Sequence, residues 1–138
     1  MRYNYLNEKL FERGEKDPCF FEKNCDMLLQ TAEKFDIIVS NPPYIPLSER
    51  ADMRCNVTDY EPAMALFVED DNPLKFYRAI ADKAKTCLAD NGFLLFEIHE
   101  NLAEESAGML REEGFIGIEI RRDFLDKPRM ICCQPKRE

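Results

Sequence analysis

The chain holds 138 residues, carries a net charge of −8 and is 45% apolar, which suits a single globular domain and excludes a disordered chain. The acidic balance argues against binding duplex DNA, whose phosphates need clustered Lys and Arg. The apolar runs are too short to span a bilayer, and the charged N-terminal stretch is not expected to be a signal peptide, because it lacks an apolar core.

Tyr3, Leu6, Leu10 and Phe11 share one helical face, so residues 1–13 are expected to form a helix stopped by Gly14. Residues 19–24 are a short strand candidate. Residues 26–34 are a turn or short helix with Asp26 as a cap. Residues 35–40, FDIIVS, are a branched apolar run, the mark of a strand buried in a parallel sheet. It stops at Asn41-Pro42-Pro43, since proline cannot donate to a ladder.

From 41 to 72 no period is legible, and a stretch of that length is more often functional than idle. A helix should begin at Asn72-Pro73, present Tyr77, Ile80, Ala81, Ala84 and Leu88 on one stripe, and end near Asn91-Gly92. FLLFEI (93–98) is a second buried strand. Asn101 and Glu104 have capping-box spacing, and the helix they open should run to about Glu113, before Gly114. FIGIEIRR (115–122) and RMICCQ (129–134) read as a closing hairpin. Alternating strands and helices predict an α/β fold with a mostly parallel sheet and a C-terminal antiparallel hairpin.

The six cysteines form no Cys-x-x-Cys pair, and His99 is the single histidine. That leaves no zinc set and suggests reduced thiols in a cytoplasmic protein. Only five glycines are present, and none are spaced as a phosphate or nucleotide loop.

Ligands of open α/β sheets bind beyond the carboxyl ends of the strands. Asn41-Pro42-Pro43-Tyr44 follows one predicted strand and His99-Glu100 another. The first segment suits methyl transfer to an amide or aromatic amine, whose conjugated lone pair is a poor nucleophile. The Asn41 side-chain oxygen and the Pro42 carbonyl could each accept one N–H of the target. The prolines stiffen the segment, and Tyr44 offers a flat wall to a planar group. His99 is expected to be structural or solvated, and Phe67, Phe76 and Tyr77 to be core.

FDIIVSNPPYIP, then YEPAMAL (60–66), LKFYRAIADKAKTCLADNGFLLFEI (74–98) and RDFLDKPR (122–129), in this order and spacing, resemble the peptide chain release factor glutamine methyltransferases. The resemblance covers nearly the whole chain. It implies a Rossmann-like class I methyltransferase sheet and the cofactor S-adenosylmethionine. It also implies a class-one release factor as partner, methylated on its Gly-Gly-Gln glutamine, and a cytoplasmic setting. By the same resemblance Asn41, Pro42, Pro43 and Tyr44 bind the target glutamine, with Asn41 also beside the cofactor. Asp26 or Met27 lies along the adenine. Glu61 could face the substrate peptide or could cap loop N–H groups.

The family's domain opens with a strand and a glycine-rich loop, then a second strand with an acidic end. Neither is recognisable here. Residues 1–138 are therefore expected to be a single incomplete catalytic domain lacking the first two strands, weak or inactive alone. The strand at 35–40 would then have a long free edge open to self-association. The family's Glu-Ile-Gly after the later strand is Glu97-Ile98-His99 here. Two alternatives remain: a methyltransferase acting on adenine amino groups of RNA or DNA, and a non-catalytic remnant or split subunit.

Overall fold

The computed structural model describes residues 3–5, 34–52 and 67–137. Strand β1 (Tyr3–Tyr5) lies parallel to β2 (Phe35–Ser40), with Tyr3 opposite Ile37 and Tyr5 opposite Val39. This corrects the helix expected over 1–13. The physical reason is the open ladder of β2, whose N–H and C=O groups need partners. β1 supplies them at 37–39, so the free edge expected there is occupied. The strand and turn expected at 19–34 lie outside the described residues, apart from Lys34.

In the stretch without a legible period, β3 (Ile45–Pro46) and β4 (Phe67–Val68) pair in parallel, and a 3₁₀ turn, Leu47–Asp52, follows β3. Helix α1 (Lys75–Cys87) follows the Asn72-Pro73 turn. Asn72 contributes its carbonyl to the Lys75 amide, at 3.2 Å, rather than a side-chain cap. Tyr77, Ile80, Ala81 and Ala84 are buried as the stripe predicts.

α1 ends earlier than expected because β5 (Leu88–Glu97) begins at once. Leu88 pairs with Phe35, and the next pair is Ile37 with Phe93, so residues 89–92 bulge opposite Asp36. Gly92 permits the close approach: a Cβ there would lie 2.9 Å from the Phe35 carbonyl oxygen. The Arg137 guanidinium donates to the carbonyls of Lys85, at 3.1 Å, and Leu88, at 2.6 Å, satisfying the end of α1.

Helix α2 (Ala103–Glu112) is not opened by the expected capping box. His99 caps the preceding 3₁₀ turn, Glu100–Leu102, and α2 starts from Leu102 without a side-chain cap. Gly114 ends the helix at φ 84°, where glycine has no Cβ penalty. β6 (Phe115–Arg122) and β7 (Pro128–Pro135) form the predicted antiparallel hairpin.

The sheet order is β1-β2-β5-β7-β6, with β7 antiparallel to both neighbours. Right-handed crossovers through α1 and α2 step the same way across it, so both helices land on one face. There Tyr77, Ile80, Ala84 and Leu110 pack with Ile38, Leu94, Phe96 and Ile131 in one core. Cys133 joins that core, and burial pushes its thiol up to about 12. Its neighbour Cys132 is on the other face, half-buried. Among the described residues no helix is long and apolar enough to cross a membrane.

Candidate functional site

Parallel pairing of β2 with β5 sets Asn41-Pro42-Pro43-Tyr44 beside Ile98-His99-Glu100. Asn41 is exposed, Pro42 and Pro43 are buried, and Tyr44 is half-buried. The Tyr44 hydroxyl donates to Glu97 Oε1 at 2.6 Å. The Tyr77 hydroxyl, from α1, donates to the Glu97 carbonyl at 2.7 Å, and its ring meets Phe96 edge-on at 5.0 Å. Burial, then the Glu97 carboxylate, raises the Tyr44 pKa above its ordinary value, while the positive Arg129 pulls weakly the other way. Tyr44 therefore remains a protonated donor, fixed to the end of β5.

His99 is only 8% exposed. Its Nδ1 accepts the Asn101 amide at 3.1 Å, so the ring proton is on Nε2 and is donated to Glu49 Oε2 at 3.0 Å. The Tyr44 and His99 rings meet edge to face at 6.2 Å. Glu49 thereby ties the Leu47–Asp52 turn to the end of β5. The amide and hydroxyl of Ser48 both donate to Asp70 Oδ1 at 3.0 Å, securing the same turn from the other side.

The hairpin closes the third side. The Arg129 carbonyl accepts the Ile98 amide at 2.9 Å, and Arg129 Nε donates to Asp123 Oδ2 at 3.2 Å. Lys127 donates to Glu100 at 2.9 Å, which lowers the Glu100 pKa.

Of the site residues read from sequence, Asn41, Pro42, Pro43 and Tyr44 stand together at one sheet end. Asp26, Met27 and Glu61 lie outside the described residues. Sequence reasoning missed Glu97, Arg129 and Glu49 as supports. Glu97 had a signal, a lone carboxylate ending an apolar strand. Arg129 stood in a quoted block without a role, and Glu49 had no signal. Of the residues expected to contact S-adenosylmethionine, Asn41 alone is among the described residues.

No family model matches the chain. It is 42% identical over 118 residues to the release factor glutamine methyltransferase of Flavobacterium psychrophilum, covering 86% of this chain and 41% of that protein. With the release factor glutamine methyltransferase of Clostridium acetobutylicum it shares 41% identity over 112 residues, 79% of this chain and 39% of the relative. A bifunctional methyltransferase of Rickettsia bellii is 38% identical over 99 residues, 72% of this chain and 18% of the relative.

The fold matches the crystal structure of a release factor-specific protein-(glutamine-N5) methyltransferase from Alicyclobacillus acidocaldarius, with a TM-score of 0.55 and 22% identity. The match covers 85% of this chain and 60% of that one. The chain thus spans about two fifths of the length of the release factor glutamine methyltransferases it matches. By sequence the chain is similar over most of its own length to the release factor glutamine methyltransferases, matching the C-terminal part of these longer proteins.

Proposed function

We propose that the Asn41–Tyr44 segment holds the side-chain amide of a release-factor glutamine for N-methylation. The observation that carries this reading is the Tyr44–Glu97 bond, which fixes a proline-stiffened segment at the carboxyl end of a parallel strand. The exposed Asn41 and the Pro42 carbonyl are the two acceptors for the amide N–H groups. Pinning both N–H groups orients the nitrogen lone pair and favours the pyramidal geometry of the transition state. Tyr44 bounds the planar amide on one side.

S-adenosylmethionine, when bound, would supply an electrophilic methyl group. The amide nitrogen sheds its proton after alkylation, so the chain need not provide a strong base. His99, with both ring nitrogens engaged, is consistent with that. The adenine-amino reading also uses such a segment, but the −8 charge disfavours a nucleic acid partner.

The test is transfer of labelled methyl to a class-one release factor and, in parallel, to adenine-containing RNA, with this chain and with the same chain extended upstream. The reading expects label on the Gly-Gly-Gln glutamine and at least a hundredfold loss in Asn41→Ala. Label on RNA alone, or none on release factor with the extended chain, overturns it.

A further inference from the structure

Six large apolar side chains are well exposed among the described residues, and they fall into two groups. Phe93, Ile116 and Met130 lie on strands, on the sheet face away from α1 and α2. Leu47 at 46%, Phe124 at 95% and Leu125 at 64% exposure belong instead to the Leu47–Asp52 turn and the β6–β7 turn, at the sheet end where Asn41–Tyr44 stands. We propose that these three form an apolar rim that docks the body of a folded protein substrate while its glutamine enters the site. This rests on the reading given under Proposed function.

The rim is held in place on both sides. Leu47 opens the turn that Glu49 fastens to His99 and that Ser48 fastens to Asp70. Phe124 and Leu125 sit at the β6–β7 turn, where one carboxylate organises the chain. Asp123 Oδ1 accepts the amides of Leu125, at 2.9 Å, and Lys127, at 3.1 Å. Its Oδ2 accepts Arg129 Nε, and Arg122 donates to the Asp126 carbonyl at 2.6 Å.

A turn tied by so many bonds does not fold its aromatic side chain back onto the protein, and Phe124 stays in water at a cost in free energy that burial by a partner would relieve. Arg129, bonded to Asp123, also bears on the Tyr44 hydroxyl, so the turn is continuous with the site. The occupant is thus a protein that reaches beyond the amide itself. A free amide or a short glutamine loop needs no apolar surface on these outer turns, whereas a folded release factor brings both loop and flank. Exposed aromatic anchors beside a polar recognition point are how such interfaces gather affinity.

The test compares wild type, Leu47→Ser and the double variant Phe124→Ser/Leu125→Ser. Calorimetry would measure the affinity of each for an intact class-one release factor and for a short Gly-Gly-Gln peptide. The double variant should bind release factor about tenfold or more weakly, bind the peptide as wild type does, and unfold at an unchanged temperature, since its side chains are exposed. Leu47→Ser should show a smaller loss of the same kind.

Unchanged release-factor affinity overturns the rim alone, as does an equal loss for the peptide. If neither wild type nor the same chain extended upstream binds either ligand, the proposed function falls and the rim with it. A self-associating wild type whose dimer the double variant dissolves assigns the surface to a second copy and overturns the proposal.

Discussion

Tyr44 and Glu97 are joined by a 2.6 Å hydrogen bond across 53 positions of sequence. The bond makes the exit of β2 and the last residue of β5 one rigid body, and α1 joins it through Tyr77. Pro42 and Pro43 remove most backbone freedom between Asn41 and Tyr44. The direction of the Pro42 carbonyl is therefore set by what Tyr44 holds.

Tyr44→Phe keeps the ring and deletes the donor. A half-buried bond to a carboxylate of this kind contributes about 1–2 kcal/mol. Thermal unfolding should shift down accordingly, and affinity for a glutamine peptide should fall about tenfold as the segment loosens. Glu97→Gln retains an acceptor and should lose less on both counts. Equal peptide affinity for wild type and Tyr44→Phe would dissociate the bond from target binding.

His99 is the single histidine of the chain, so its ring nitrogens give unambiguous NMR signals. The bonds to Asn101 and Glu49 require the neutral ring with its proton on Nε2. Nitrogen-15 spectra at neutral pH should report that tautomer. Glu49→Ala should speed amide exchange in the Leu47–Asp52 turn, and Glu49→Gln, which keeps an acceptor, should restore most of the protection. A proton found on Nδ1 would contradict the assignment.

Gly92→Ala tests the bulge. The added Cβ would meet the Phe35 carbonyl oxygen at 2.9 Å and the Ala89 carbonyl oxygen at 3.1 Å, and neither backbone group can swing aside. A destabilisation of about 1–3 kcal/mol is expected in denaturant unfolding. Gly108→Ala is the control, since nothing lies within 4 Å of its added Cβ. It should be neutral or slightly stabilising, as alanine favours a helix interior.

Glu113 joins α1 to the end of α2, with Lys85 at 2.5 Å and Arg78 at 3.0 Å. Hydrogen bonding to Lys85 leads in lowering its pKa from the ordinary 4.5, and Arg78 adds to it. A depressed folded pKa means the contribution is fully present above the unfolded value and is lost as pH falls through the folded one. Stability should therefore drop as acid is added below about pH 4.5. Glu113→Gln should be less stable at neutral pH and should flatten that part of the profile. Parallel acid-unfolding curves for the two proteins would count against the pair.

Much of this architecture is legible in one sequence because strands write themselves as short branched apolar runs, as at 35–40, or as alternation, as at 115–122. Phe35–Ser40 and Phe115–Arg122 match their expected limits residue for residue. The misses occur where partners distant in sequence decide. Tyr3 is spaced with Leu6, Leu10 and Phe11 as on one helical face, yet the vacant ladder of β2 takes Tyr3–Tyr5 as a strand. Asn101 and Glu104 have capping-box spacing, yet His99 caps a 3₁₀ turn before α2, and α2 itself starts without a side-chain cap. The Asn41–Tyr44 segment was readable because proline and asparagine carry local chemistry. Its supports Glu97, Arg129 and Glu49 were not, since each acts through a contact made only in three dimensions.

Cofactor affinity tests the proposed methyl transfer most directly. The Asn41–Tyr44 side is built and braced, whereas the sequence offers no closely spaced glycines to bring backbone N–H groups against the methionine part of S-adenosylmethionine. Without such a cradle the ligand would keep its charged amino-acid end in water, and only its adenine could gain from burial. This chain should therefore bind S-adenosylmethionine weakly or not at all in a calorimetric titration. The same chain extended upstream through a glycine-rich loop should bind it tightly. Micromolar binding by the 138-residue chain itself would overturn this and would locate the missing contacts among residues 6–33 or 53–66, which lie outside the described part.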